Sequence, residues 1–207
     1  MNITSRRREK FKKVAYNRQL DLALVLENIS DMHNTGAVLR TCDAVGVGEL
    51  VILNTDEELH FKNYTLGKRT TSGARKWVEV KFYTCRDTCF QYLRSRYKHI
   101  FATHLNHTSK SIYETDFSGS CAIVFGNEKD GISLETLKQT TGNILIPMSG
   151  MVQSLNISVA CAITLYEVYR QRLMLGQYPQ DEIEVSPSIE HRRLYEQYLN
   201  RHQDQSY

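Results

Sequence analysis

The sequence predicts an α/β domain on a largely parallel sheet. Short apolar runs of strand length alternate with segments that carry helix caps and helical periodicity. The whole of its 207 residues fits one domain with terminal extensions, large enough to bury a core without staples. Three polar stretches, Asn34–Arg40, Phe125–Glu128 and the one around Ser154, follow the ends of apolar runs. That is where parallel sheets place their ligands.

The elements follow in order. A first helix spans about Thr4–Arg18, and Leu22–Leu26 is a buried strand. Asn34 N-caps a helix carrying Ala37, Val38, Leu39 and Ala44, which Gly46 and Gly48 end. Leu50–Leu53 is a second strand, and a loop with Gly67 and Gly73 leads to a third at Trp77–Phe82. Thr84 with Asp87 starts a helix to about Tyr97 in the manner of a capping box. His99–Thr103, Cys121–Phe125 and Asn143–Ile146 are further strands, and Ser133 caps a short helix. Leu155 begins a long helix made of Ile157, Val159, Ala160, Ala162 and Ile163. It is apolar on nearly every side, so it is buried, or lies at a subunit contact. Ser186-Pro187 opens a final helix, with Ser as cap and Pro in the first turn. Gln177–Pro187 is the best linker candidate, which divides the chain into 1–20, 21–176 and 177–207.

Charge is unevenly spread. The formal net charge is +3, but residues 1–20 carry Arg6, Arg7, Arg8, Lys10, Lys12, Lys13 and Arg18 against Glu9 alone. A basic arm on a neutral body points to a polyanionic partner, and equally fits a solubilising tail. The five cysteines, Cys42, Cys85, Cys89, Cys121 and Cys161, form no CxxC pair and find no histidine cluster. Free thiols in a reducing cytosol are the simplest reading, with no metal expected. No signal peptide and no membrane-spanning run is visible.

A nucleotide fingerprint is excluded. Gly46-Val-Gly48 lacks the third glycine and ends a helix instead of joining strand to helix. This argues against an oxidoreductase of the Rossmann type. Taken singly, Asn34 is an ordinary cap, Arg40 a solvated helix residue, Phe125–Glu128 a polar turn and Ser154 a cap. Gly126 permits close backbone approach to a ligand. Asn156 is harder to explain by packing, because it sits in the first turn of an apolar helix.

Together, Asn34-x5-Arg40, Phe125-Gly-Asn-Glu128 and Ile146-Pro-Met-x-Gly-x3-Ser154-Leu-Asn-Ile-Ser-Val-Ala160 resemble the three signature motifs of the SpoU (TrmH-like) RNA ribose 2′-O-methyltransferases. The resemblance runs from about Leu22 to Arg172. Glu27–His33 and Gly73–Trp77 look most like the branch that methylates the D-loop guanosine of tRNA (Gm18).

The resemblance implies a SPOUT fold with a deep C-terminal trefoil knot, S-adenosylmethionine as methyl donor, a homodimer and a cytoplasmic location. It assigns Arg40, Asn34, Glu128, Ser154 and Asn156 to catalysis. It assigns Ala102, Thr103, His104, Gly126, Ile146, Met148 and Leu155 to the cofactor. RNA contacts fall to Arg6, Arg7, Arg8, Lys12, Lys13 and Arg18 on a flexible arm, with Arg75, Lys76, Arg170 and Arg172 adding to them. His33 approaches the target ribose, or is a neighbour of the helix cap. The family proposal gives Arg40 the proton. A guanidinium keeps its proton, with a pKa above about 12, so phosphate holding and alkoxide stabilisation suit it better. Ribosomal RNA as substrate and a catalytically silent RNA-binding module are the rival readings. The short N-terminal extension favours tRNA, and the intact polar set favours an enzyme.

Overall fold

Seven strands form one sheet in which every pairing is parallel. The computed structural model describes residues 3–64, 73–179 and 187–203. The strands are β1 (Gln19–Glu27), β2 (Val47–Leu53), β3 (Glu79–Tyr83), β4 (His99–Thr103), β5 (Lys110–Ser111), β6 (Cys121–Phe125) and β7 (Gly142–Leu145). Their order across the sheet is β3-β2-β1-β6-β4-β7-β5.

The central strands are apolar along their length because both faces are covered. Leu22, Leu24, Leu26, Cys121, Ile123 and Phe125 face α2 (Met32–Val45) and the long C-terminal helix at Ile157–Met174. Ala23, Val25, Ala122 and Val124 face the opposite layer, where Cys89, Phe90 and Leu93 of α3 (Arg86–Arg96) close the core. The predicted α/β architecture with a parallel sheet is therefore the observed one.

Helix starts differ from expectation in instructive ways. Asp31, not Asn34, caps α2, its carboxylate accepting from the His33 backbone N–H at 2.8 Å. Asn34 is thereby released from capping. Thr84 does not cap α3: Cys85 holds the cap position. Ser133 does cap the short α4 (Leu134–Leu137), accepting from the Thr136 N–H. The long helix, α5 (Ile157–Met174), starts two residues after Leu155, with Asn156 as its cap. At the final helix, α6 (Ile189–Gln203), the hydroxyl of Ser188 accepts from the His191 N–H at 3.3 Å. Ser186 and Gly67 lie outside the described residues. Gly46, left-handed, ends α2, whereas Gly48 lies inside β2. The two-residue β5 has no apolar run to announce it.

The basic arm is a folded helix, α1 (Ser5–Tyr16), rather than a flexible tail. Phe11 and Ala15 pack with Tyr198 of α6, together with Trp77, Leu194 and Leu199. Tyr198 donates its hydroxyl to the Trp77 carbonyl at 2.7 Å, which ties the two extensions to the sheet domain.

Candidate active site

Three strand ends converge on one cavity of about 260 Å³. Thr103 ends β4 and His104 and Leu105 follow it; Phe125 ends β6 and Gly126, Asn127, Glu128 and Gly131 follow it; Leu145 ends β7 and Ile146 and Met148 follow it. Gln153, Ser154 and Leu155 from the loop before the long C-terminal helix, and Ile157 and Ala160 from its first turn, complete the wall. The site sits beyond the carboxyl ends of parallel strands, as the sheet topology demands.

At its rim, side chains from three separate elements form one hydrogen-bonded chain. Asn156 uses its Oδ1 to cap α5, accepting from the Ser158 N–H at 2.9 Å and the Ser158 hydroxyl at 2.6 Å. Its Nδ2 must then donate, and it does so to Asn34 Oδ1 at 3.1 Å. That leaves Asn34 Nδ2 to donate to Glu128 Oε1 at 2.7 Å. Each amide orientation is fixed by its neighbour, so no alternative flip satisfies the chain.

The loop carrying Glu128 is held tightly. Asn127 Oδ1 accepts from the Lys129 and Asp130 N–H groups at 2.9 and 2.7 Å, and the Gly131 N–H donates to the Asn127 carbonyl at 3.0 Å. Gly126 has to be glycine for a reason internal to the protein. A Cβ there would lie 2.0 Å from the Gly131 carbonyl carbon. The close backbone approach expected with a ligand is made by the protein's own chain.

The remaining assignments divide. Six of the seven expected cofactor residues, Thr103, His104, Gly126, Ile146, Met148 and Leu155, line the cavity. Ala102 does not: its side chain is buried in the core on the α3 side. Glu128 and Ser154 line the cavity, Asn34 and Asn156 bond at its rim, and Arg40 is exposed on α2. Leu105, Asn127, Gly131 and Gln153 are lining residues that the sequence reading missed. Asn127 stood within a recognised motif, but a polar turn residue carries no signal of which way it faces.

Two expected RNA contacts are corrected. Arg18 is fully buried, pairing with Asp43 at 2.7 Å and donating to the Tyr198 hydroxyl at 3.1 Å. Arg172 is fully buried too, donating to the Phe117 and Gly119 carbonyls, Gln19 Oε1 and Asp21 Oδ1 at 2.6–3.0 Å. Both guanidiniums are structural struts. Arg170 is exposed but makes two bonds to Glu167, at 2.7 and 2.8 Å. Arg6, Arg7 and Lys10 line a larger cleft of about 540 Å³ with Phe11, Trp77 and Tyr198, which shares no lining residue with the Glu128 site. Arg8, Lys12 and Lys13 lie on α1, Arg75 and Lys76 on a short turn before β3, and exposed His33 beside Asn34.

Residues 21–166 match the SpoU rRNA Methylase family. The chain belongs to that family. It is 40% identical over 181 residues to the tRNA (guanosine(18)-2′-O)-methyltransferase of Thermus thermophilus, covering 87% of this chain and 91% of that protein. Its fold matches the A. aeolicus TrmH/SpoU tRNA modifying enzyme at a TM-score of 0.82, with 32% identity over 98% of both chains. An AdoMet-bound rRNA methyltransferase from Sinorhizobium meliloti matches at a TM-score of 0.63 and 25% identity, over 77% of this chain and 59% of that one. The SPOUT architecture implied by the motifs is thus the fold of this SpoU methylase. Among the described residues no helix is long and apolar enough to cross a membrane.

Proposed function

We propose that this SpoU methylase transfers a methyl group from S-adenosylmethionine to the ribose 2′-hydroxyl of the D-loop guanosine of tRNA. The observation that carries the reading is the Glu128–Asn34–Asn156 chain at the rim of a cavity closed by the motif loops. The relative named for that reaction aligns along nearly all of both chains, which supports tRNA over ribosomal RNA.

The cavity fits the methyl donor. Ile144, Ile146, Leu155 and Ile157 offer apolar walls for a flat base, and the Glu128 carboxylate offers a counter-charge for a sulfonium. When bound, S-adenosylmethionine supplies an electrophilic methyl group. The protein's task is alignment and exclusion of water. Thr103, His104, Gly126, Ile146, Met148 and Leu155 hold the donor. Asn34 and Asn156 fix Glu128, and Ser154 faces the same space. Arg40, one turn beyond the buried Thr35–Gly36 pair of α2, holds the RNA phosphate and stabilises the developing alkoxide. Its test is Arg40→Lys across a pH series: a lysine that restores the rate only at high pH assigns the proton to this position instead.

RNA reaches the site across the basic face of α1, where Arg6, Arg7, Arg8, Lys12 and Lys13 neutralise phosphates without reading sequence. Homodimer formation through α5 completes the assembly, supported by the outward-facing Val159, Tyr166 and Met174. The C-terminal segment is threaded as a trefoil knot. The support is that β4 and β5, joined by residues 104–109, flank the later strand β7. Free thiols and a tRNA substrate support a cytoplasmic location.

The test offers labelled S-adenosylmethionine with unmodified tRNA and, separately, ribosomal RNA. Label in tRNA alone supports the reading; label confined to ribosomal RNA, or none in either, overturns it.

A further inference from the structure

We infer that Glu27 is a positioning residue that clamps the Glu128 loop in its working conformation, an inference that rests on the function proposed above. Glu27 ends β1 and is only 1% exposed, yet carries a carboxylate. A charge so placed is retained only where it is fully bonded. Its Oε2 accepts from the Ser133 N–H at 3.0 Å, and its Oε1 accepts from the Ser133 hydroxyl at 2.7 Å and the Thr136 hydroxyl at 2.5 Å. Arg86 stands behind it, 3.7 Å from Oε1, donating to the Thr136 and Ser133 hydroxyls at 2.9 and 3.2 Å.

Every one of these donors to Glu27 lies at the N-terminus of α4, where the loop that follows β6 ends. The start of that loop is fixed by the contact of Gly126 with Gly131 and Ile132. Glu27 fixes its other end. The same strand, β1, leads directly into α2 and Asn34. One buried carboxylate therefore sets the spacing between the two elements whose side chains meet in the Asn34–Glu128 bond. Neither Asp nor Gln reproduces it. Asp is a methylene short, and Gln has one acceptor oxygen where three donors converge.

The test measures S-adenosylmethionine binding by calorimetry, tRNA binding by filter retention, and kcat for wild type, E27Q, S133A and the double variant. Glu27→Gln is expected to weaken cofactor binding about tenfold, the loss of roughly one charge-assisted hydrogen bond, with a fall in kcat. Binding of tRNA, most of whose proposed phosphate contacts lie on α1, is expected to stay within about twofold of wild type. The double variant is expected to be no worse than E27Q, because both changes open the same clamp. Multiplicative effects in the double variant, or equal losses of cofactor and tRNA binding, overturn the inference. Wild-type binding matched by E27Q also overturns it and leaves the proposed function standing. Failure of the wild-type chain to bind the cofactor removes both.

Discussion

Replacing Gly126 by alanine isolates the loop geometry from every side-chain role. The added Cβ would lie 2.0 Å from the Gly131 carbonyl carbon, 2.1 Å from its oxygen and 2.3 Å from the Ile132 nitrogen. Carbon atoms in contact sit about 3.5 Å apart, so the two strands of the loop must separate by about 1.5 Å. The Asn34–Glu128 bond is 2.7 Å long. A shift of that size along it exceeds the useful limit of about 3.2 Å. Overpacking of this kind costs about 1–3 kcal/mol, or roughly 2–12 °C in melting temperature at this chain length. Misplacement by about 1 Å costs about 100-fold in rate. Gly126→Ala is therefore expected to fold, melt lower and lose at least about 100-fold in kcat, measured by labelled methyl transfer. Gly131→Ala is the control, with open space around its Cβ and only a left-handed φ of 69° to strain. It is expected to lose far less activity. Equal losses in the two variants, or a G126A enzyme at the wild-type rate, would refute the reasoning.

Three further outcomes follow from the same geometry. Arg172→Ala leaves the Phe117 and Gly119 carbonyls without their donor, while half-exposed Asp21 turns to water, and is expected to cost about 1–3 kcal/mol by urea unfolding; no measurable loss contradicts its role as a strut. In the native state one thiol is expected to label quickly with maleimide at pH 7. That thiol is Cys85, which is exposed and whose pKa is lowered by hydrogen bonds from Thr88. Burial pushes Cys42 and Cys89 up to about 12 and Cys121 up to about 11, and holds Cys161 well above the ordinary thiol range, so fast labelling of any of these four counts against the packing described. Arg170, and then Gln171, hold the Glu167 carboxyl below its ordinary range despite burial. Its stabilisation is present above the unfolded value of about 4.3 and is lost as pH falls through the lowered one. Melting curves of wild type and Glu167→Gln are expected to converge below about pH 4; a gap that stays constant down to pH 3 contradicts this.

The strands were legible because their physics is local. Leu22–Leu26 and Cys121–Phe125 are apolar on both faces, which only a doubly covered parallel sheet explains. Helix starts were less so, because several residues compete for each cap. Asp31, Asn34 and Ser30 all qualify beside one helix, and the winner is decided by what Asn34 meets across space. Asn156 shows the same ambiguity resolved twice over: it caps α5 with its oxygen and reaches Asn34 with its nitrogen. The site's motifs could be read from the sequence as a set, while their hydrogen-bonded order could not. Arg18 and Arg172 mark the opposite failure. Arginine in a basic chain suggests RNA, but here backbone carbonyls and Asp21 or Asp43 close around each guanidinium. Such partners are 25 or more residues away in sequence and leave no local trace.

The most direct test of the central claim is to map the methylated nucleotide. Unmodified tRNA is incubated with the enzyme and S-adenosylmethionine, digested, and the fragments are sequenced by mass spectrometry. The account predicts a single added methyl on the ribose of the D-loop guanosine, absent with Arg40→Ala. A methyl on a base, or on a ribose outside the D-loop, would contradict it.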